Sequence, residues 1–108
     1  MIKPLINEEN ILASVFVADT FLKRLMGYMF RKQPHYEVLM IKPCNSIHTF
    51  FMRFSIDVLF INKHMEVIKK VENLKPGKII MPIKEAFAVI EGRAGLFEIV
   101  RIGDKINI

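Results

Sequence analysis

Short runs of apolar, often β-branched residues recur along this chain and predict a protein built mainly from strands. Five such runs end at turn formers or polar residues, and they cover residues 11–18, 36–41, 56–62, 65–71 and 86–92. The third and fourth runs meet at Asn62, Lys63 and His64, which predicts a hairpin. Residues 75–78, "KPGK", place proline and glycine where a type II turn needs them, and residues 105–108 alternate like a final edge strand.

Two other segments have the signals of helices. In the first, apolar residues recur at i, i+3, i+4 and i+7 behind a polar N-cap, and the stripe consists of Leu22, Leu25, Met26 and Met29. The second is predicted to begin near Ala94 and to end at Gly103, because glycine suits the left-handed residue that terminates a helix. Strands come in runs and do not alternate regularly with helices. We therefore predict an α+β fold, mainly β, with a compact antiparallel or barrel-like sheet of five to seven strands and two short helices.

Size and composition predict a single domain over residues 1–108, with 52% hydrophobic and 25% charged residues. The single cysteine excludes an intramolecular disulfide and fits a reducing compartment. Polar residues 7–10 interrupt the N-terminus where a signal peptide needs an unbroken apolar stretch, and no run approaches the roughly 18 apolar residues of a membrane span. We expect a cytoplasmic protein, monomeric or weakly dimeric, without a membrane partner.

The formal net charge is +5, and much of the excess is local. Residues 61–84 hold six lysines against two glutamates, a local excess of +4. Such a segment attracts nucleic acid or another polyanion, or is simply a solvated lysine-rich surface. The second interpretation is favoured, because the phenylalanines that would stack on bases lie mostly outside this segment.

The segment "CNSIHTFFMR", residues 44–53, holds soft donor atoms that suit a metal ion or a reactive thiol. If the segment is extended, Cys44, His48 and Met52 share a face, with same-face neighbours about 7 Å apart and Cys44 about 13 Å from His48. These separations argue against one ion bound by all three and against a catalytic Cys–His pair. We expect no metal site, and we expect Cys44 to act as a small apolar residue.

Asp57 stands within an otherwise apolar strand and needs a partner if it is buried. Arg24, Arg53 or His48 would supply the charge or the donors. The cluster is then either a structural network between helix and sheet or the polar lining of a cleft. For the His48 side chain, two roles remain equally open. It is either a half-buried imidazole whose hydrogen bonds are satisfied within the fold, or a hydrogen-bond donor that lines a pocket.

Four segments resemble, in order and spacing, the pattern of the bacterial and archaeal domain-of-unknown-function family 192. They are "ADTFLKRLMGYM" (18–29), "SIHTFFMRFSIDVLFIN" (46–62), "VIEGRAG" (89–95) and "IGDKI" (102–106). The resemblance covers nearly the whole chain from Ala18 onward, although Ser55 and Gly92 stand where proline and leucine are usual. It implies a compact, mostly β domain with a short helix after the first strand, and no established activity. The family's recurrent polar positions fall here on Arg24, His48, Thr49, Arg53 and Asp57. Glu91 and Gly95 match its late motif, and Gly103 and Asp104 match its closing turn.

The sequence thus predicts ligand binding and does not identify a reaction. We expect a small polar or anionic ligand, without a tightly held cofactor, in a cleft lined by Arg24, His48, Thr49, Arg53, Asp57 and Glu91. Two alternatives stay open: a nucleic-acid or polyanion surface on residues 61–84, and a purely structural network of Arg24, His48 and Asp57. An enzymatic function is a further alternative, although the sequence contains no complete set of catalytic residues.

Overall fold

A computed structural model describes the backbone of residues 2–7 and 10–18 and the full structure of residues 38–107. Nine strands lie in these ranges: β1 (Ile2–Asn7), β2 (Asn10–Ala18), β3 (Val38–Ile41), β4 (Ile47–His48), β5 (Ile56–Ile61), β6 (Val67–Leu74), β7 (Ile79–Ile80), β8 (Ala88–Arg93) and β9 (Ile106–Asn107). Seven of them form one sheet in the order β6-β5-β8-β3-β2-β1-β9, and β4 pairs with β7 in a second, two-stranded sheet.

The large sheet is antiparallel except for the parallel pair of β2 and β3, so the mainly β, antiparallel prediction is confirmed. Among the described strands, the sheet does not close into a barrel, and the barrel-like alternative is wrong. Its two edges approach each other at the isolated bridge between Glu66 and Lys105 and through a few neighbouring backbone bonds, such as the one from the Val67 N–H to the Asp104 carbonyl at 2.9 Å. These contacts involve only the start of β6 and do not supply the continuous pairing that closure requires.

The helix predicted over residues 94–103 is wrong, because the structure has successive turns there. The local backbone bonds of residues 93–100 each span three residues, as in the bond from the Leu96 N–H to the Arg93 carbonyl at 3.1 Å. Gly95 has φ +92°, a left-handed conformation that interrupts a right-handed helix. The apolar spacing instead places Phe97 and Val100 in the core. The helix predicted over residues 22–29, together with Arg24, lies outside the described residues.

Both faces of the large sheet are buried at β3, β5 and β8, and side chains alternate between the two faces along β5. One face, here called the Leu59 face, packs against the turns after β8 through Phe97 and Val100. The opposite Val58 face packs against the chain around β4 and β7 through Ile47, Met52 and Ile80. Residues 44–53 therefore belong to a layer that packs over the Val58 face of the sheet.

The predicted hairpin is confirmed as β5 and β6, which pair antiparallel. The Asn62 Oδ1 atom caps its turn by accepting the N–H groups of His64 and Glu66 at 2.9 and 3.0 Å. At the other end of β6, Gly77 has φ +79°, as the third residue of a type II turn requires. This second turn contacts β4 and helps to build the candidate surface.

Candidate binding surface

Residues 44–53 do not form one extended strand, so Cys44, His48 and Met52 do not share the face that an extended segment would give them. The chain is a strand only at Ile47–His48, and it then turns at Phe50 and Phe51, where Phe51 has φ +66°. Met52 is buried in the core, whereas His48 is exposed to solvent. The turn therefore separates the two side chains that extended geometry would place together.

Thr49 joins this turn to the turn of residues 75–78. Its hydroxyl donates to the Lys75 carbonyl at 2.7 Å and accepts the Lys78 N–H at 2.8 Å. Its own N–H donates to the Lys78 carbonyl at 2.8 Å, and its carbonyl accepts the Gly77 N–H at 3.0 Å. Because Thr49 is buried, these bonds are shielded from water and hold the two turns in one arrangement.

The joined turns form a surface that we call the basic tip, defined as residues 48–53 and 75–84. It carries four exposed cations, namely Arg53, Lys75, Lys78 and Lys84, and no aspartate or glutamate occurs in either range. It also carries four exposed apolar side chains, namely Phe50, Phe51, Ile79 and Met81. Positive charge and apolar surface thus occur in the same two segments, and the exposed Glu85 follows Lys84 directly.

His48 contributes an oriented ring to the basic tip. Its Nδ1 atom accepts the Phe50 N–H at 3.2 Å, and its ring stacks on that of Phe50 with the centroids 5.4 Å apart. With Nδ1 as acceptor, the neutral imidazole carries its proton on Nε2. The ring therefore presents a donor to solvent.

Asp57 lies inside the sheet and is satisfied by backbone groups. Its two carboxylate oxygens accept the N–H groups of Asn73 and Gly95 at 2.8 and 2.9 Å. No hydrogen bond or ion pair joins Asp57 to His48 or Arg53, all three of which are described. The carboxylate instead fixes the end of β6 and the turn after β8 against β5.

Glu91 is buried on the opposite face of the sheet from Asp57. It lies across from Leu39 and Val58, both of which pack on the Val58 face, whereas Asp57 alternates to the Leu59 face. Burial raises the pKa of Glu91 from its ordinary 4.5 to about 8. The structure therefore brings His48, Thr49 and Arg53 together at the tip and places Asp57 and Glu91 on two sides of the sheet.

Cys44 is half-buried and packs against the Val58 face. Its thiol donates to the Ser46 carbonyl at 2.9 Å. Beside it lies an open pocket of about 260 Å³ lined by Pro43, Cys44, Asn45, Ala86 and Phe87. Within residues 38–107, no three His, Cys, Asp or Glu side chains are grouped as metal ligands.

The lysines of residues 61–84 do not act as one surface. Lys70 donates its ammonium to the carbonyls of Glu98 and Val100 at 3.2 and 2.9 Å and lies 3.6 Å from the Glu72 carboxylate. Its role is thus to fasten β6 to the turns over the Leu59 face. Lys75 and Lys78, in contrast, are exposed beside Phe50 and Phe51, which are distant in sequence.

Sequence reasoning did not identify Ile79 and Met81 as surface residues. Ile79 lies across from His48 in the small sheet, and that face is exposed, whereas Ile47 and Ile80 face the core. The signal in the sequence was the short apolar run "IIMP" between a type II turn and a proline, too short to fill a buried strand.

No helix in the described part of the chain is long and apolar enough to span a membrane. Two solved structures are similar. A protein of unknown function from Novosphingobium aromaticivorans has a TM-score of 0.81 at 19% identity, over 99% of this chain and 85% of its own. A putative transcription regulator from Sinorhizobium meliloti has a TM-score of 0.76 at 23% identity, over 88% and 81%. At these identities the likeness shows the fold alone.

Sequence relatives occur in species of Pyrococcus. The UPF0127 protein PH1112 of Pyrococcus horikoshii is 41% identical over 95% of this chain and 96% of its own length. The UPF0127 protein PF1050 of Pyrococcus furiosus is 37% identical over 92% and 90%. The family DUF192, described as "Uncharacterized ACR, COG1430", matches residues 5–108. This chain therefore belongs to the DUF192 family.

Proposed function

We propose that this chain is a binding protein for anionic ligands and that the basic tip is its binding surface. The observation that carries the proposal is the Thr49 link, which holds the turn of His48 and Arg53 against the turn of Lys75 and Lys78. No carboxylate occurs in either range of the tip to neutralise these cations. A preformed group of cations binds an anion without first ordering its own backbone.

Each side chain of the tip has a chemical role in this proposal. The Arg53 guanidinium suits bidentate recognition of a phosphate or carboxylate, and Lys78 supplies a mobile point charge. His48 offers its Nε2–H donor from a ring held by Phe50. Thr49 positions these groups from beneath and does not face the ligand, because it is fully buried.

Asp57 and Glu91, predicted as ligand residues, act in this proposal as supports of the fold. Asp57 already accepts two backbone N–H groups, and Glu91 is buried among apolar residues of the Val58 face. A ligand at the tip therefore meets neither of these two buried carboxylates.

The proposal is tested with inorganic pyrophosphate, measured by isothermal titration calorimetry. The double variant Arg53→Gln/Lys78→Gln should weaken pyrophosphate binding by about tenfold or more, since it removes two of the four cations. A matched control is Lys63→Gln/Lys105→Gln. It removes two exposed cations near the start of β6, the end of that strand remote from the tip.

The control should retain the affinity of the unchanged protein within about twofold, because surface charges more than a Debye length away are largely screened. Equal losses in the two double variants would mean that net charge alone attracts the anion. Such a result would refute the tip as a specific surface.

A further inference from the structure

The apolar part of the basic tip needs an explanation that anion binding alone does not give. The described residues have six exposed large hydrophobic side chains, and four of them lie at the tip: Phe50, Phe51, Ile79 and Met81. Met81 is 71% exposed and Phe51 is 64% exposed. A contiguous exposed apolar surface rimmed by charge marks an interaction site.

The fold holds these side chains outward. In the small sheet, Ile47 and Ile80 face the core, so Ile79 necessarily faces solvent beside His48. Phe51 is the second residue of its turn at φ +66°, a conformation that costs free energy for a bulky residue. Backbone geometry and packing therefore hold the side chains of Ile79 and Phe51 in solvent, where a partner can contact them.

We infer that the basic tip docks on the surface of a lipid bilayer rich in anionic headgroups. This inference rests on the proposed anion-binding function and names the source of the anions. Exposed lysines and an arginine attract anionic headgroups, and short apolar side chains enter the headgroup region. Electrostatic attraction and apolar insertion are each weak alone, and reversible peripheral binding to a bilayer ordinarily needs both. The tip provides both.

The aliphatic side chains favour a bilayer over a nucleic acid. Single-stranded nucleic acids bind aromatic side chains by stacking, for which Phe50, Phe51 and His48 would suffice. Ile79 and Met81 offer no ring to a base, yet they are 59% and 71% exposed. A bilayer interface accepts aromatic and aliphatic side chains alike. Charge complementarity favours an anionic surface over a neutral one, because the tip has four exposed cations and the only acid directly adjoining its two segments is Glu85.

The experiment is vesicle flotation with the full chain. Vesicles of phosphatidylcholine alone are compared with vesicles in which about one third of the lipid is phosphatidylglycerol. Binding is expected only with the anionic vesicles, and it should fall steeply between about 0.1 M and 0.5 M salt. Absence of binding to the anionic vesicles would overturn the inference.

Two pairs of variants test whether the tip itself makes the contact. Ile79→Gln/Met81→Gln should lower the vesicle partition coefficient by about tenfold or more, since it removes two inserted side chains. The matched control is Ile99→Gln/Ile102→Gln, which alters side chains 60% and 68% exposed in the turns after β8. All four positions are exposed, so neither pair should disturb folding. Equal losses in both pairs would contradict the inference.

The remaining outcomes separate this inference from the proposed function. Normal pyrophosphate binding without vesicle binding would refute the bilayer and leave anion binding intact. Loss of both would refute both. An oligothymidylate that binds through Phe50 and Phe51, unaffected by Ile79→Gln/Met81→Gln, would assign the tip to single-stranded nucleic acid and overturn the bilayer.

Discussion

At the scale of single residues, the two buried carboxylates serve different purposes. Asp57 is satisfied because each of its oxygens accepts a backbone N–H, as if it were a cap for two separate turns. Glu91 lies on the buried Val58 face, and burial raises its pKa to about 8. The first stabilises the fold by its hydrogen bonds, whereas the second is disfavoured as an anion.

Asp57→Asn should lower the free energy of unfolding by about 2–3 kcal/mol, since an amide oxygen replaces one carboxylate oxygen and an NH₂ group then faces a backbone donor. Urea unfolding measures the change. Asp104→Asn is a suitable control because Asp104 accepts only the Arg101 N–H, at 2.9 Å in an exposed turn, and should cost less than about 1 kcal/mol. A loss no larger than that of Asp104→Asn would contradict the role given to Asp57.

Glu91 predicts a pH dependence of stability. Its pKa is raised from 4.5 to about 8 on folding, so the folded state holds a proton that the unfolded state releases between these values. The free energy of unfolding should therefore fall as pH rises through this range, by up to about 1.4 kcal/mol per pH unit. Glu91→Gln should remove most of the slope in unfolding experiments between about pH 5 and pH 8. An unchanged slope in the variant would show that another group is responsible.

At the scale of elements, the sequence predicted the strands whose burial is uniform along the run. β5, β3 and β8 are mostly apolar, are buried along almost their whole length and are neighbours inside the sheet, and the turns at Asn62 and Gly77 carry clear local signals. β1 was not predicted, because Pro4 stands within it and proline lacks an N–H for a strand ladder. The helix predicted over residues 94–103 relied on Gly103 as a left-handed terminator, but Gly103 has that conformation, φ +95°, in a turn.

The layer formed over the Val58 face by the chain around β4 and β7 could not be predicted from the sequence. Whether His48 or Ile47 faces the core depends on the pairing of β4 with β7, which lie about thirty residues apart in the chain. The link through Thr49 is equally non-local. The sequence therefore identified His48, Thr49 and Arg53 as candidate site residues, but it did not identify the turn of residues 75–78 that Thr49 contacts.

The link itself predicts a test at this scale. Thr49→Val keeps the shape of the side chain but removes the hydroxyl, leaving the Lys75 carbonyl and the Lys78 N–H without that partner. Stability should fall by about 1–3 kcal/mol, and pyrophosphate should bind several-fold more weakly because the two turns are no longer held together. Thr49→Ser retains the hydroxyl and should recover the affinity in calorimetry. If Thr49→Val binds normally, the link does not position the tip.

At the scale of the whole molecule, part of the positive charge has a location. Lys70 is used inside the fold, and Asp57 and Glu91 are buried, whereas the four cations of the tip are exposed. The mainly β architecture and the family were predictable, because both depend on local patterns. The binding surface was not, because it depends on which apolar side chains the tertiary structure leaves in water.

The central claim is that the basic tip binds anions, and an NMR titration of isotopically labelled protein with inorganic pyrophosphate tests it most directly. The account predicts saturable amide shifts concentrated in residues 48–53 and 75–84, with small changes at the Asn62 turn and at residues 101–107. The absence of shifts at the tip, or larger shifts around Lys63 and Lys105 than at Arg53 and Lys78, would contradict it.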